Sequence, residues 1–258
     1  MSDFIPTPER QKQILSLLGK QGRLSVAEIV EQFAISEATA RRDLESLTSQ
    51  GKAQRVHGGV IAIEQAPPEQ PILQREGEQA EEKSAIGRAA AELIHDGETV
   101  FLGSGTTVLE TARHLRERRG LTVVTNSLPV LNALAGFKDI TVVSLGGQLR
   151  DSELSFIGHI TEQALAELRV GKVVIGTRGL SLEHGLTNDY LPETLTDRAI
   201  LKIGREVIVA ADHTKVNRVS TALLAPLSSM TTFVTDSGAD KKFLQALKKL
   251  DIKVVIAE

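Results

Sequence analysis

From Lys83 to the end of the chain, seven short runs rich in β-branched and apolar residues recur: TVFLG, LTVVTN, ITVVSLG, KVVIGT, EVIVAAD, TTFVTD and KVVIAE. Most are separated by helix-like stretches such as KSAIGRAAAELI and DKKFLQALKKL. A strand that reads as a nearly continuous apolar run has to be covered on both faces, and helices between such strands supply the cover. The pattern predicts an α/β domain over residues 83–258 built on a mostly parallel sheet.

The first sixty residues follow a different pattern. TPERQKQILSLLGKQG offers Thr7 as N-cap, Pro8 at the first helical position, and an apolar stripe of Ile14, Leu17 and Leu18, with Gly19 and Gly22 ending the helix. SVAEIVEQFA opens on a capping box, Ser25 with Glu28, and would bury Ile29, Val30 and Phe33. A brief turn leads to Ser36, which can cap a third helix running to about Ser49, and KAQRVHGGVIAI alternates around Gly58 and Gly59 as a hairpin. Residues 1–63 are therefore expected to form a winged helix–turn–helix domain. Residues 64–82, with three of the eight prolines and many Glu and Gln, read as a linker.

Charge alone does not reveal a partner. The chain of 258 residues carries −3, and residues 1–63 hold eight basic against seven acidic side chains, a net of +1. Placement is more informative. In the third helix Ala40, Leu44 and Leu47 share one face, which turns Arg42 almost directly outward, with Ala38 and Thr39 on the same side and Arg41 at its edge. A helix with small, hydroxyl and arginine side chains near its N-terminus can enter a major groove, where Arg pairs with guanine or clamps phosphate. Ser36, Ala38, Thr39, Arg41 and Arg42, with Arg55, His57 and Gly58 of the hairpin, are the predicted contacts to double-stranded DNA.

In FLGSGTTVLETA, a strand enters a turn of Gly103, Ser104 and Gly105 and then a helix beginning with Thr106 and Thr107. Glycines let several N–H groups point at one anion, and the following helix aims its positive end at the same place. No Lys follows to make a P-loop, and Val108 stands where a dinucleotide fingerprint needs its third glycine. Small polar residues recur after the next two strands as Thr125-Asn126-Ser127 and Gly146-Gly147, and Lys215 follows EVIVAAD. If these turns converge at the carboxyl end of the sheet, they suit a small phosphorylated polyol. For an enzyme, Asp151, Glu153, Glu183 and Asp189 are the acids nearest such a pocket, and they read as solvated loop residues; His184 beside Gly185 reads as a turn. No catalytic triad, metal site or cofactor is expected. The absence of cysteine, of a long apolar run and of a signal-peptide start points to a cytoplasmic, disulfide-free chain with no membrane partner.

The stretch ISEATARRDLESLTSQGKAQRVHGGV resembles the DNA-binding motif of the DeoR family of bacterial transcriptional regulators, matched at Ser36, Thr39, Arg41, Arg42, Asp43, Leu44, Arg55, His57, Gly58 and Gly59. The C-terminal part is similar to that family's sensor domain, whose fold is like those of ribose-5-phosphate isomerase and glucosamine-6-phosphate deaminase. It matches at Lys83, Gly105-Thr106-Thr107, Thr125-Asn126-Ser127, Gly146-Gly147, Gly158, Gly185-Leu186-Thr187, Asp212 and Lys215. Three positions depart from the family pattern: Ala40 where Ile is usual, Gly103 where many members carry Asp, and Asp197 where a Lys is common. The resemblance implies a phosphate held at the Gly105 turn, a sugar recognised by the surrounding loops, and no catalysis. The expectation is a homo-oligomeric repressor of a carbohydrate-utilisation operon released or retained by a phosphorylated sugar. The alternative is a sugar-phosphate isomerase with an appended helix–turn–helix.

Overall fold

The computed structural model describes residues 6–49, 52–56, 58–62, 64–65 and 70–258, and the chain divides into two compact units, Met1–Gln65 and Ala66–Glu258. The first unit runs α1 (Thr7–Gln21), β1 (Arg23–Ser25), α2 (Val26–Phe33), α3 (Glu37–Ser49), β2 (Ala53–Val56), β3 (Gly59–Ala62) and β4 (Glu64–Gln65). Pro6 rather than Thr7 takes the N-cap position of α1, and Gly19 lies inside the helix. The stop is Gly22, left-handed at φ 72°, whose N–H bonds to the Leu18 carbonyl at 2.8 Å. The capping box of α2 forms, with Glu28 N–H donating to Ser25 Oγ and Ser25 N–H to the Glu28 carboxylate. Ile14, Leu18, Ile29, Ala40, Leu44 and Leu47 make the core of this unit.

The hairpin gains a third strand that the sequence pattern did not reveal: β1 pairs antiparallel with β3, in the order β1-β3-β2. Gly59 makes this possible, since a Cβ there would lie 2.2 Å from the Leu24 carbonyl oxygen.

The second unit opens with α4 (Ile72–Arg75), α5 (Ala80–Glu92), β5 (Thr99–Leu102), α6 (Thr106–His114), β6 (Leu121–Thr125), α7 (Leu128–Leu134) and β7 (Ile140–Ser144). It continues with β8 (Gln148–Arg150), β9 (Ser155–Ile157), α8 (His159–Ala166), β10 (Val170–Ile175), β11 (Gly179–Ser181) and β12 (Gly185–Asn188). Then come α9 (Leu191–Ile203), β13 (Gly204–Ala210), β14 (Arg218–Val219), β15 (Ala222–Ala225), β16 (Thr232–Asp236), α10 (Lys241–Lys249) and β17 (Lys253–Ala257). The seven apolar runs become one seven-stranded sheet, all parallel, in the order β17-β16-β13-β10-β5-β6-β7. Alternate residues face opposite layers. Val100, Leu102, Val174 and Ile208 pack with Ile86, Val108, Ala112, Val130 and Leu134 of α5, α6 and α7. Phe101, Val173, Ile175, Val207 and Val209 pack with Leu165, Ile200, Ile203, Phe243 and Leu247 of α8, α9 and α10.

The order has a consequence for any ligand. The chain enters the sheet at β5, moves outward through β6 and β7, then returns to lay β10, β13 and β16 on the other side of β5. The reversal between β5 and β10 is a topological switch point, where the connections leave in opposite directions and open a crevice at the strands' carboxyl ends. Two further features were not legible: a small antiparallel sheet, β11-β12-β15, and the pair β8-β9. Among the described residues, no helix is long and apolar enough to cross a membrane.

Candidate functional site

In the first unit, Ser36 caps α3 by accepting from the Thr39 N–H at 3.2 Å, and the two hydroxyls lie 2.9 Å apart. Ala40, Leu44 and Leu47 are buried, while Ala38, Arg41 and Arg42 are exposed on the opposite side and Thr39 is half-buried. Arg42 makes no hydrogen bond or ion pair among the described residues. Arg41 is held by Glu37 one turn back, at 2.6 Å. An exposed pair of this kind is worth only a few tenths of a kcal/mol, so a phosphate can displace Glu37 at little cost. Arg55 and Gly58 are exposed on the hairpin, with Gly58 at φ 80° in its turn. His57 lies outside the described residues.

The sequence reading passed over what holds α3 in place. Asp43, 2% exposed, accepts from Arg10 Nε at 2.7 Å and from Gln11 Nε2 at 3.0 Å, both on α1. Asp43 lies within the apolar stripe of α3, three residues after Ala40 and four before Leu47. A carboxylate in that position requires a buried partner, and the signal was available.

In the second unit, a cavity opens at the switch point. Ser104, Gly105, Thr106 and Thr107 line it after β5, Gly176, Thr177 and Arg178 after β10, and Asp212, Thr214 and Lys215 after β13. Gly105 sits at φ 112° and ψ 153°, a region closed to residues with a Cβ, and serves as N-cap of α6 with no side chain capping the helix. The first N–H groups of α6 thus have no partner within the helix and face the cavity with its positive end. Arg75, Glu78, Gln79 and Lys83 supply another wall. The Lys83 ammonium donates to the Arg75 carbonyl at 2.7 Å, and burial holds its pKa below the ordinary lysine value, an effect that nearby Asp212 opposes and Arg75 and Lys215 reinforce.

The opposite wall is acidic: Glu153, Asp189, Glu193 and Asp197. Glu153 is buried and ion-paired with Arg75, whose Nε also donates to the Gln70 carbonyl at 2.8 Å. Glu193 pairs with Arg150, which lies 3.7 Å from Asp189 and stacks on the Tyr190 ring. Ser155 Oγ donates to Glu193 at 2.6 Å. Asp197 accepts from Asn188 Nδ2 at 2.8 Å, and burial, then the charges of Glu193 and Glu153, raise its pKa well above the ordinary aspartate value.

Among the residues read from sequence as effector contacts, Ser104, Gly105, Thr106, Thr107 and Lys215 are brought together here, and the other six lie elsewhere. Gly103 belongs to the strand packing, its N–H bonded to the Val174 carbonyl at 2.9 Å. Thr125, Asn126 and Ser127 are buried: Thr125 Oγ1 donates to the Leu102 carbonyl, Asn126 Nδ2 to the Phe156 carbonyl, and Ser127 caps α7. The Gly146–Gly147 turn packs on α8, where Thr161 Oγ1 donates to the Gly146 carbonyl at 2.8 Å. Both turns follow strands on the far side of β5, away from the crevice. The acids Asp151 and Glu183 do not line the cavity, and Glu153 is a buried ion-pair partner rather than a solvated loop acid. The 64–82 stretch is also more than a linker, since α4 and the start of α5 fall within it and Arg75, Glu78 and Gln79 line the site. Among the described residues, no group of three or more His, Asp or Glu could hold a metal.

Two family profiles match this arrangement unit by unit: a DeoR-like helix-turn-helix domain over residues 10–66 and the DeoR C terminal sensor domain over residues 78–237. The chain belongs to the DeoR family. The "Transcriptional repressor AccR" of Agrobacterium fabrum is 34% identical over 98% of this chain and 99% of its own length. The "Glycerol-3-phosphate regulon repressor" of Escherichia coli is 33% identical over 93% of this chain and 94% of its own. Among solved structures, ribose 5 phosphate isomerase A from Neisseria gonorrhoeae is 17% identical, with a TM-score of 0.39 over 52% of each chain. As a DeoR-family chain, it combines the exposed Arg42 face of α3 with the uncapped α6 cavity in one polypeptide.

Proposed function

We propose that the chain is a cytoplasmic transcriptional repressor of a carbohydrate-utilisation operon whose affinity for double-stranded operator DNA is set by a phosphorylated sugar. The observation that carries this reading is the uncapped N-terminus of α6 at the switch point, flanked by Lys83 and Lys215. The phosphate accepts from the first N–H groups of α6 and draws the two ammonium groups toward it. The remaining polar walls take the sugar hydroxyls. Ser36, Ala38, Thr39, Arg41, Arg42, Arg55, His57 and Gly58 form the DNA face, and a homo-oligomer presents two such faces to paired half-sites.

The test is fluorescence anisotropy of the full chain on duplex from upstream of its own operon, at fixed salt, titrated with a panel of sugar phosphates. The expected result is tight, salt-sensitive binding changed severalfold or more by at least one phosphorylated sugar and by none of the unphosphorylated parents. Binding indifferent to every compound would refute the effector half of the reading. Failure to bind an assured operator fragment would refute the DNA half.

A further inference from the structure

The cavity has two chemically different ends. At one, the start of α6 with Lys83 and Lys215 offers positive charge. At the other, Asp189, Glu193 and Asp197 share the single guanidinium of Arg150, which pairs directly with Glu193 and Asp189. Glu193 and Asp197 stand one turn apart on α9, so both carboxylates project from the same face of that helix. Ser104 links the ends, its hydroxyl 3.5 Å from Glu193 Oε1 and its backbone next to Gly105.

Among the described residues, Asp197 has no ion pair, and its printed hydrogen-bond partner is the Asn188 amide. A carboxylate enclosed beside another carboxylate is costly when ionised, unless a proton or a cation compensates it. The raised pKa of Asp197 shows that in the ligand-free chain a proton takes this role. A bound molecule can do the same by bringing hydrogen-bond donors, and an ammonium does so most fully. A second anionic group would have to sit against uncompensated negative charge.

We propose that Glu193 and Asp197 form the selective end of the effector site, accepting phosphorylated compounds whose far end carries hydroxyl or ammonium donors and rejecting those with a second anionic group. This rests on the phosphorylated-sugar reading above and narrows it to one charge class. The expected order is amine tighter than hydroxyl, and hydroxyl tighter than carboxylate or second phosphate. One full charge at contact distance in a partly screened site corresponds to about a tenfold change or more per step.

The test is isothermal titration calorimetry on the full chain with matched series on two frames. The three-carbon series is serinol phosphate, glycerol 3-phosphate and 3-phosphoglycerate. The six-carbon series is the hexosamine 6-phosphate, the hexose 6-phosphate and the hexose bisphosphate, in both gluco and galacto forms. The proposal expects the stated order in whichever series binds, and near-equal affinities across that series in Asp197→Asn. A flat or inverted order in the natural chain overturns it, whatever the variant does. Correct order with unchanged ratios in both Asp197→Asn and Glu193→Gln overturns the assignment to these residues. If no compound of either series binds, the phosphorylated-sugar reading itself falls and this inference with it.

Discussion

Replacing Asp43 by alanine should uncouple the two units of this chain energetically. The carboxylate is buried, accepts from Arg10 Nε at 2.7 Å and from Gln11 Nε2 at 3.0 Å, and ties α3 to α1. Its removal leaves the Arg10 guanidinium, itself 5% exposed, with a buried charge that has lost its carboxylate. Breaking one side of such a pair costs about 3–5 kcal/mol. The unit Met1–Gln65 can be expected to have a total stability of about 3–10 kcal/mol, from roughly 0.05–0.15 kcal/mol per residue. The loss is therefore a large share of all that holds α3 in place. It corresponds to a fall of at least about 12 °C in the unfolding midpoint of a domain this size. Differential scanning calorimetry of the full chain, with operator binding measured in parallel, reads both consequences. The lower transition should fall and operator affinity should drop, while heats of effector binding, which arise in the other unit, stay as they were. The double variant Arg10→Met with Asp43→Leu should recover most of the stability, since two apolar groups of similar size leave no charge unpaired. An Asp43→Ala chain that melts at the natural midpoint would show that Arg10 finds water or another partner at no cost, and would refute the reasoning.

Three other substitutions test different parts of the molecule. Gly105→Ala meets no atom within 4 Å of its new Cβ, so its cost is the backbone strain of φ 112°, about 1–3 kcal/mol; calorimetry should show effector affinity reduced about tenfold or more as the turn shifts its N–H groups. Arg42→Ala should cost about 1–3 kcal/mol on operator DNA if the guanidinium makes a bidentate base contact, and anisotropy at fixed salt should show the loss on specific duplex rather than on random sequence. Asp197→Asn should raise the unfolding midpoint of the ligand-free chain. The folded chain holds the Asp197 proton more tightly than the unfolded chain does, because burial and Glu193 raise its pKa. This carboxyl therefore favours folding most in acid, and the benefit shrinks as pH rises from the unfolded value toward the folded one. The stabilisation by Asn should be largest in alkaline buffer and fade on acidification; a gain that does not depend on pH would contradict the assignment.

What the sequence made legible and what it hid follow from the range of the forces involved. Each of the seven sheet strands could be read because burial on both faces leaves a local apolar run, and the capping box at Ser25 and Glu28 because it is a contact within one turn. Strand order leaves no local trace. Turns after β5, β6 and β7 were expected to converge because those strands follow one another in the chain. The sheet instead reverses beside β5, so the crevice takes its walls from β10 and β13, and with them Thr177, Arg178 and Asp212. Thr125, Asn126 and Ser127 are polar for a different reason: they satisfy backbone groups of β5, β9 and α7 in the interior. Arg75 was hidden by composition, since α4 is four residues long and too short to show helical periodicity amid Pro, Glu and Gln.

The position of Arg75 and Lys83 bears on how binding could be felt elsewhere. An effector alters operator affinity only through contacts that differ between the two states of the protein, and a coupling of about 1–3 kcal/mol suffices. Most of the cavity cannot supply such a difference, because the turns after β5, β10 and β13 are fixed by a sheet whose strands are buried on both faces. The stretch from Gln70 to Lys83 is different. It is the first described chain after the DNA-binding unit, and polar contacts are prominent in how it is held: Arg75 to Glu153, Arg75 Nε to the Gln70 carbonyl, the Ile72 N–H to the Ser152 carbonyl, and Lys83 to the Arg75 carbonyl. A phosphate arriving at α6 competes directly for the last of these, since the Lys83 ammonium, destabilised by burial, gains more from a dianion than from one carbonyl. The bond it would exchange is the one that closes this segment on itself, so the wall with the weakest hold on the sheet is also the one whose contacts change with the ligand.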